Sequence, residues 1–132
     1  MAIYLDTSAA MKLAVAESES EALRTFLASA TDGFVSSALL AVELRRAALR
    51  SSDSAAALSA VAKVIPAIRL VRIDDEILGQ AGILLPPSLR SLDAIHLATA
   101  LSLGTAVESM VCYDTRLAQA ALASGLAVQS PS

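Results

Sequence analysis

Short apolar runs alternate along this chain with longer segments whose apolar positions recur every third or fourth residue, a pattern that predicts strands and helices in turn. Ile3-Tyr4-Leu5 reads as the first strand, closed by Asp6, with Thr7 or Ser8 capping a short helix from Ala9 to Val15. A second helix is expected from about Glu19 to Ala30, with Ala22, Leu23, Phe26 and Leu27 on one face and acids at its start, where the helix dipole favours them. Asp32-Gly33 turns the chain into a brief strand, Phe34-Val35-Ser36, and Ser37 is placed to cap a helix from Ala38 to about Arg50. The polar break Ser51-Ser52-Asp53-Ser54 precedes a helix from Ala55 to Val64 that ends near Pro66.

Arg69 to Ile73 reads as the third strand, and Asp74-Asp75-Glu76 opens a helix that must stop before Pro86-Pro87. Ser91 is placed to cap Leu92 to Leu103, with Gly104 as its stop. Met110 to Tyr113 is the fourth strand, closed by Asp114; Arg116 to Ala123 is a helix, and Leu126 to Val128 a short last strand. This alternation implies an α/β fold: a mainly parallel central sheet of about five short strands, flanked by helices and joined by right-handed crossovers. No internal repeat or linker interrupts it, so residues 1–132 are expected to form a single domain.

Composition sharpens the picture. With 55% hydrophobic and 17% charged residues, a packed core forms readily and extended disorder is not expected. No apolar run reaches the roughly 18 residues of a membrane span, and the first residues lack the basic region of a secretory signal, so the expected location is the cytoplasm with no membrane partner. One cysteine and one histidine exclude an internal disulfide and the usual ligand set of a structural zinc site. The formal charge of −3 argues against a nucleic-acid partner only until the acids are considered, because neutralising four of them with metal would leave +1. Aromatic residues are 3% of the chain, too few for a surface that stacks bases on rings.

Four acids stand where chemistry could be done. Asp6 and Asp114 each follow an apolar strand and precede a helix; the plain reading of either is a turn or helix cap. Two strands that each deliver an aspartate to the same sheet edge make a shared site the better reading, since ligands bind beyond the carboxyl ends of strands in open α/β sheets. Glu43 lies in the apolar stretch Leu39 to Leu44, where a glutamate needs a partner; an ion pair with Arg46 would contribute only about 0.2–0.5 kcal/mol. Asp93 opens a helix apolar enough to cross the core, and dipole stabilisation is its plain reading. His96, one turn on, reads as a hydrogen-bonded core histidine without a catalytic role, and Asp74-Asp75-Glu76 as a solvated helix start.

Four carboxylates at one crevice repel one another unless a cation neutralises them, and oxygen-only ligands select Mg²⁺ or Mn²⁺. Such an ion lowers the pKa of a bound water and steadies an in-line displacement at phosphorus. The expected reaction is therefore phosphodiester hydrolysis, with Arg46, Arg50, Arg90 and Arg116, and also Arg45, as candidate phosphate contacts.

The segments Tyr4-Leu5-Asp6-Thr7-Ser8, Val42-Glu43-Leu44 with Arg46, Leu92 to Ala100, and Tyr113-Asp114 with Arg116-Leu117 together resemble the PIN-domain nucleases, in particular the VapC toxins of bacterial toxin–antitoxin pairs. The resemblance covers nearly the whole chain, and its third segment is the most specific. It implies a PIN-like nuclease domain over 1–132, with Asp6, Glu43, Asp93 and Asp114 as metal-binding catalytic acids and Thr7 or Ser8 assisting from behind. It implies a cytoplasmic endoribonuclease that depends on Mg²⁺ or Mn²⁺, acts on RNA, forms a homodimer and is silenced by a cognate VapB-like antitoxin.

Two other classes share some of these features. A receiver-like phosphoacceptor signalling domain has the same size and an acidic Mg²⁺ pocket, but needs adjacent acids after the first strand and a lysine after the last; here Asp6 stands alone and no lysine follows Lys63. A metal-free protein-interaction domain would need neither metal nor the acids.

Overall fold

The computed structural model describes residues 1–132. Its centre is a five-stranded, all-parallel sheet built from β1 (Ala2–Leu5), β2 (Phe34–Ser37), β3 (Ile68–Val71), β4 (Val107–Val111) and β5 (Val128–Gln129), in the order β3-β2-β1-β4-β5. Seven helices surround it: α1 (Thr7–Ala14), α2 (Ser20–Ala28), α3 (Leu39–Leu49), α4 (Ser54–Val64), α5 (Asp75–Ala81), α6 (Ser91–Ser102) and α7 (Thr115–Ala123). The α/β class and the mainly parallel sheet are as the sequence predicts.

Why the sheet is covered on both faces can be read from β1. Its side chains alternate: Ile3 and Leu5 pack into a core with Leu23, Leu27, Leu40, Leu44 and Val61, while Ala2 and Tyr4 join a second core with Leu97, Met110 and Leu117. A strand buried on both faces has no polar side, which is why Ile3-Tyr4-Leu5 shows no alternation of polar and apolar residues. Strand order reverses between β1 and β4, and the crevice beyond their carboxyl ends is where such sheets bind ligands. A receiver fold has the order 2-1-3-4-5. The order seen here removes that alternative.

Several element ends differ from the sequence reading. α1 begins at Thr7 because Asp6, not Thr7 or Ser8, is its cap, accepting from the Ala9 amide at 2.9 Å. α6 likewise begins at Ser91, which is its first residue and not its cap; Arg90 stands at the cap position, and its side chain does not cap the first turn. α5 ends at Ala81, well short of the prolines. β3 and β4 start earlier than expected, each fed by a single 3₁₀ turn, Ile65–Ala67 and Gly104–Ala106. Gly104 does stop α6, with φ of +54° that a side chain would resist. β4 ends at Val111, opposite Leu5 at the end of β1, so Cys112 and Tyr113 lie beyond the strand; β5 is Val128–Gln129, not Leu126 to Val128.

Candidate active site

Asp6 and Asp114 are both helix caps, and each caps through one carboxylate oxygen and leaves the other to a different partner. Asp6 Oδ1 accepts from the Ala9 amide and, at 2.7 Å, from Ser8 Oγ, while Oδ2 faces the Cys112 thiol at 3.1 Å. Asp114 Oδ1 accepts from the amides of Arg116 and Leu117 at 3.0 and 3.2 Å, leaving Oδ2 to the Arg90 guanidinium at 3.1 Å. Ser8 Oγ also accepts from the Tyr113 amide at 2.9 Å. That bond ties the loop after β4 to the start of α1 and keeps the two aspartates on one edge.

Asp6 is buried, and burial pushes its carboxyl above the usual range even though Ser8, Cys112 and the Ala9 amide all favour the charged form. Cys112 is pushed up as well, chiefly by its own burial and then by the Asp6 charge, and remains a thiol that donates to Asp6. A buried carboxylate short of compensation is a place where a bound cation would be stabilising.

Glu43 makes no ion pair with Arg46. Its Oε1 accepts instead from Thr7 Oγ1 and from His96 Nε2, both at 2.6 Å. Burial raises the Glu43 carboxyl, but the bonds from His96 and Thr7 outweigh it and hold it below the usual range. Asp93, in the first turn of α6, takes Arg90 Nε at 3.2 Å, so one exposed guanidinium spans Asp93 and Asp114.

The structure thus links Asp93 to Asp114 through Arg90, and Asp6 to Glu43 through the adjoining residue Thr7. It does not draw the four acids onto one point: no three His, Cys, Asp or Glu side chains stand close enough together to hold an ion. The physical reason is that like charges keep apart, and each acid here has hydrogen-bond partners of its own: Arg90 for Asp93 and Asp114, His96 and Thr7 for Glu43, Ser8 and Cys112 for Asp6. The donor set itself, carboxylate oxygens only, has the chemistry of a hard divalent cation site.

Of the arginines expected at phosphates, Arg46, Arg50 and Arg116 are exposed, as is Arg45, whereas Arg90 is turned onto the acids. Sequence reasoning placed His96 in the core correctly but missed its bond to Glu43, and it gave Cys112 no part at all. The available signal for His96 was its spacing: three residues after Asp93, it shares that residue's side of α6.

A PIN domain family profile matches residues 3–122. Ribonuclease VapC46 of Mycobacterium tuberculosis is 47% identical over 131 residues, which cover 99% of this chain and 98% of that protein. Among solved structures, the VapC20 toxin of M. tuberculosis, described as cleaving the sarcin-ricin loop, aligns with a TM-score of 0.77 at 18% identity, covering 98% of this chain and all of that one. VapBC2 of Rickettsia felis, bound to a DNA fragment from its promoter, aligns with a TM-score of 0.74 at 12% identity over the whole of both chains. At such identities these two likenesses concern the fold.

Proposed function

The chain belongs to the PIN domain family, and from that premise we propose that it is an endoribonuclease, the toxin of a toxin–antitoxin pair, which hydrolyses RNA phosphodiester bonds with the help of Mg²⁺ or Mn²⁺. The observation that carries the proposal is the arrival of Asp6 and Asp114, from neighbouring strands, at the point where the strand order reverses. The relative named a ribonuclease, alike over nearly its full length, supports the same reading. Residues 1–132 act here as one nuclease domain, in the cytoplasm; no helix is long and apolar enough to cross a membrane.

Asp6, Glu43, Asp93 and Asp114 are the residues that would hold the ion. When bound, it would supply an acidified water and charge stabilisation at the phosphoryl oxygens. The chain's own groups do the rest. Ser8 and the Ala9 amide fix Asp6 in one orientation, and Thr7 does the same for Glu43. The amides of Arg116 and Leu117 fix Asp114. Arg90 neutralises Asp93 and Asp114, and it is the arginine nearest the acids, where with Arg46, Arg50 and Arg116 it would meet the substrate's phosphates.

Partners follow from the surface. Ile83, Leu85, Leu122 and Val42 are more than half exposed, a quantity of apolar surface that suits a homodimer and a groove for a VapB-like antitoxin segment. Light scattering should show a dimer; a strict monomer at high concentration would remove that part of the proposal. The proposal as a whole is tested by incubating purified protein with RNA: cleavage should require Mg²⁺ or Mn²⁺ and stop on addition of a chelator. Absence of cleavage together with the absence of any Mn²⁺-binding heat would favour a metal-free interaction domain instead.

A further inference from the structure

One polar chain runs through the core beneath the proposed site. Tyr4 on β1 is fully buried, and its hydroxyl lies 2.8 Å from Nδ1 of His96, which is buried on α6; Nε2 of the same ring lies 2.6 Å from Glu43 Oε1 on α3. The two rings meet edge to face, with centroids 5.9 Å apart and planes at 85°. Three elements are joined by two hydrogen bonds through a single imidazole.

The direction of those bonds is fixed by the ends of the chain. A carboxylate oxygen accepts, so Glu43 takes the Nε2 proton, and the Tyr4 hydroxyl, 2.8 Å from the other ring nitrogen, donates to it. A ring that accepts at Nδ1 and donates at Nε2 satisfies both. We infer that Tyr4 and His96 are positioning residues for Glu43: the Tyr4 hydroxyl sets the tautomer of His96, and the Nε2–H of His96 aims the Glu43 carboxylate at the crevice. Neither residue touches substrate; both act through Glu43. The inference rests on the proposed nuclease reading for its effect on rate, but not for its tautomer.

The arrangement explains features that packing alone leaves open. A core needs no imidazole between a tyrosine and a glutamate, since an apolar side chain of similar size would fill the same volume without desolvating polar atoms. Here each buried polar atom of the chain has its partner, which is what makes such a network rigid. Thr7 Oγ1, 2.6 Å from the same Oε1 and 3.2 Å from Nε2, closes the far side. Glu43 is therefore held by two donors from two elements, one of them preset by Tyr4.

His96 is the protein's sole histidine, so its ring can be observed without ambiguity. Nitrogen-15 spectra of the imidazole in the metal-free protein should show a bare, acceptor-type Nδ1 and a protonated Nε2, and Tyr4→Phe should abolish that fixed pattern. In RNA cleavage, Tyr4→Phe and His96→Leu should each lower kcat by about 10- to 100-fold, the usual consequence of losing a partner that orients a ligand, with KM changed less than about twofold. His96→Gln, whose amide can donate from near the Nε2 position, should recover much of the loss. The opposite tautomer, a parental kcat in Tyr4→Phe or His96→Leu, or a Gln variant no better than Leu would each overturn the inference. Should the unaltered protein fail to cut RNA, the nuclease reading falls while the nitrogen-15 pattern still decides the hydrogen-bond chain. If His96→Leu does not fold, Tyr4→Phe and His96→Gln still decide the role in catalysis.

Discussion

Asp6 shows how one side chain serves two ends. Its Oδ1 completes the first turn of α1, as any good cap would, and its burial makes the negative charge costly. Because the folded protein binds the Asp6 proton more tightly than the unfolded chain does, this group's contribution to stability is fully present below the unfolded carboxylate value. It is lost as pH rises through the raised folded value. Glu43 acts in the opposite sense: its lowered value contributes stability that is present above the unfolded pKa and is lost as pH falls. Asp6→Asn isolates the first effect, since the amide keeps the cap and cannot ionise. Without metal, the melting temperature of Asp6→Asn relative to the parent should rise as pH increases above the ordinary carboxylate range. Parallel curves for the two proteins would show that the Asp6 charge carries no folding penalty.

At the scale of elements, α3 illustrates how packing aims a functional residue. Leu40, Leu44 and Ala48 are buried on one side of the helix and fix its rotation about its own axis; Glu43, beside Leu44, is thereby turned towards Thr7 and His96 while Arg45 and Arg46 face solvent. Leu44→Ala should cost about 2–5 kcal/mol of stability in urea unfolding, and Arg46→Ala less than about 0.5 kcal/mol. Equal midpoints for the two variants would show that α3 is not anchored by that stripe. The sequence made α3 legible for the same reason, because its apolar spacing repeats at the helical period. It could not show where β4 ends: Cys112 and Tyr113 continue the apolar run, and only pairing with β1, which stops at Leu5, ends the strand at Val111. Nor could it show that Asp6 would outcompete Thr7 and Ser8 as a cap, since all three are able to accept from a first-turn amide. Long-range partners were the least legible of all. Glu43 and His96 are 53 residues apart, and local patterning carries no record of such a contact.

For the whole molecule, the parallel sheet and its reversal between β1 and β4 bring Asp6 and Asp114, from distant parts of the sequence, to one edge. What the sequence pattern does not convey is the spacing between the four acids, because the contacts made by Arg90 and His96 depend on side-chain placement. Divalent metal should bind the folded crevice and not the unfolded chain, so Mn²⁺ at 100 times its dissociation constant should add about 2.7 kcal/mol of stability. A melting temperature indifferent to saturating Mn²⁺ would count heavily against the site. The central claim, that these acids hold the ion that cuts RNA, is tested most directly at Asp93 by single-turnover RNA cleavage in Mg²⁺, beside a melt without metal. Asp93→Asn keeps the side chain's shape and removes its charge. Cleavage is expected to fall at least about 100-fold, with metal-free stability altered by no more than roughly 1 kcal/mol. A variant that melts lower but cuts at the parental rate would make Asp93 a structural residue and contradict the account.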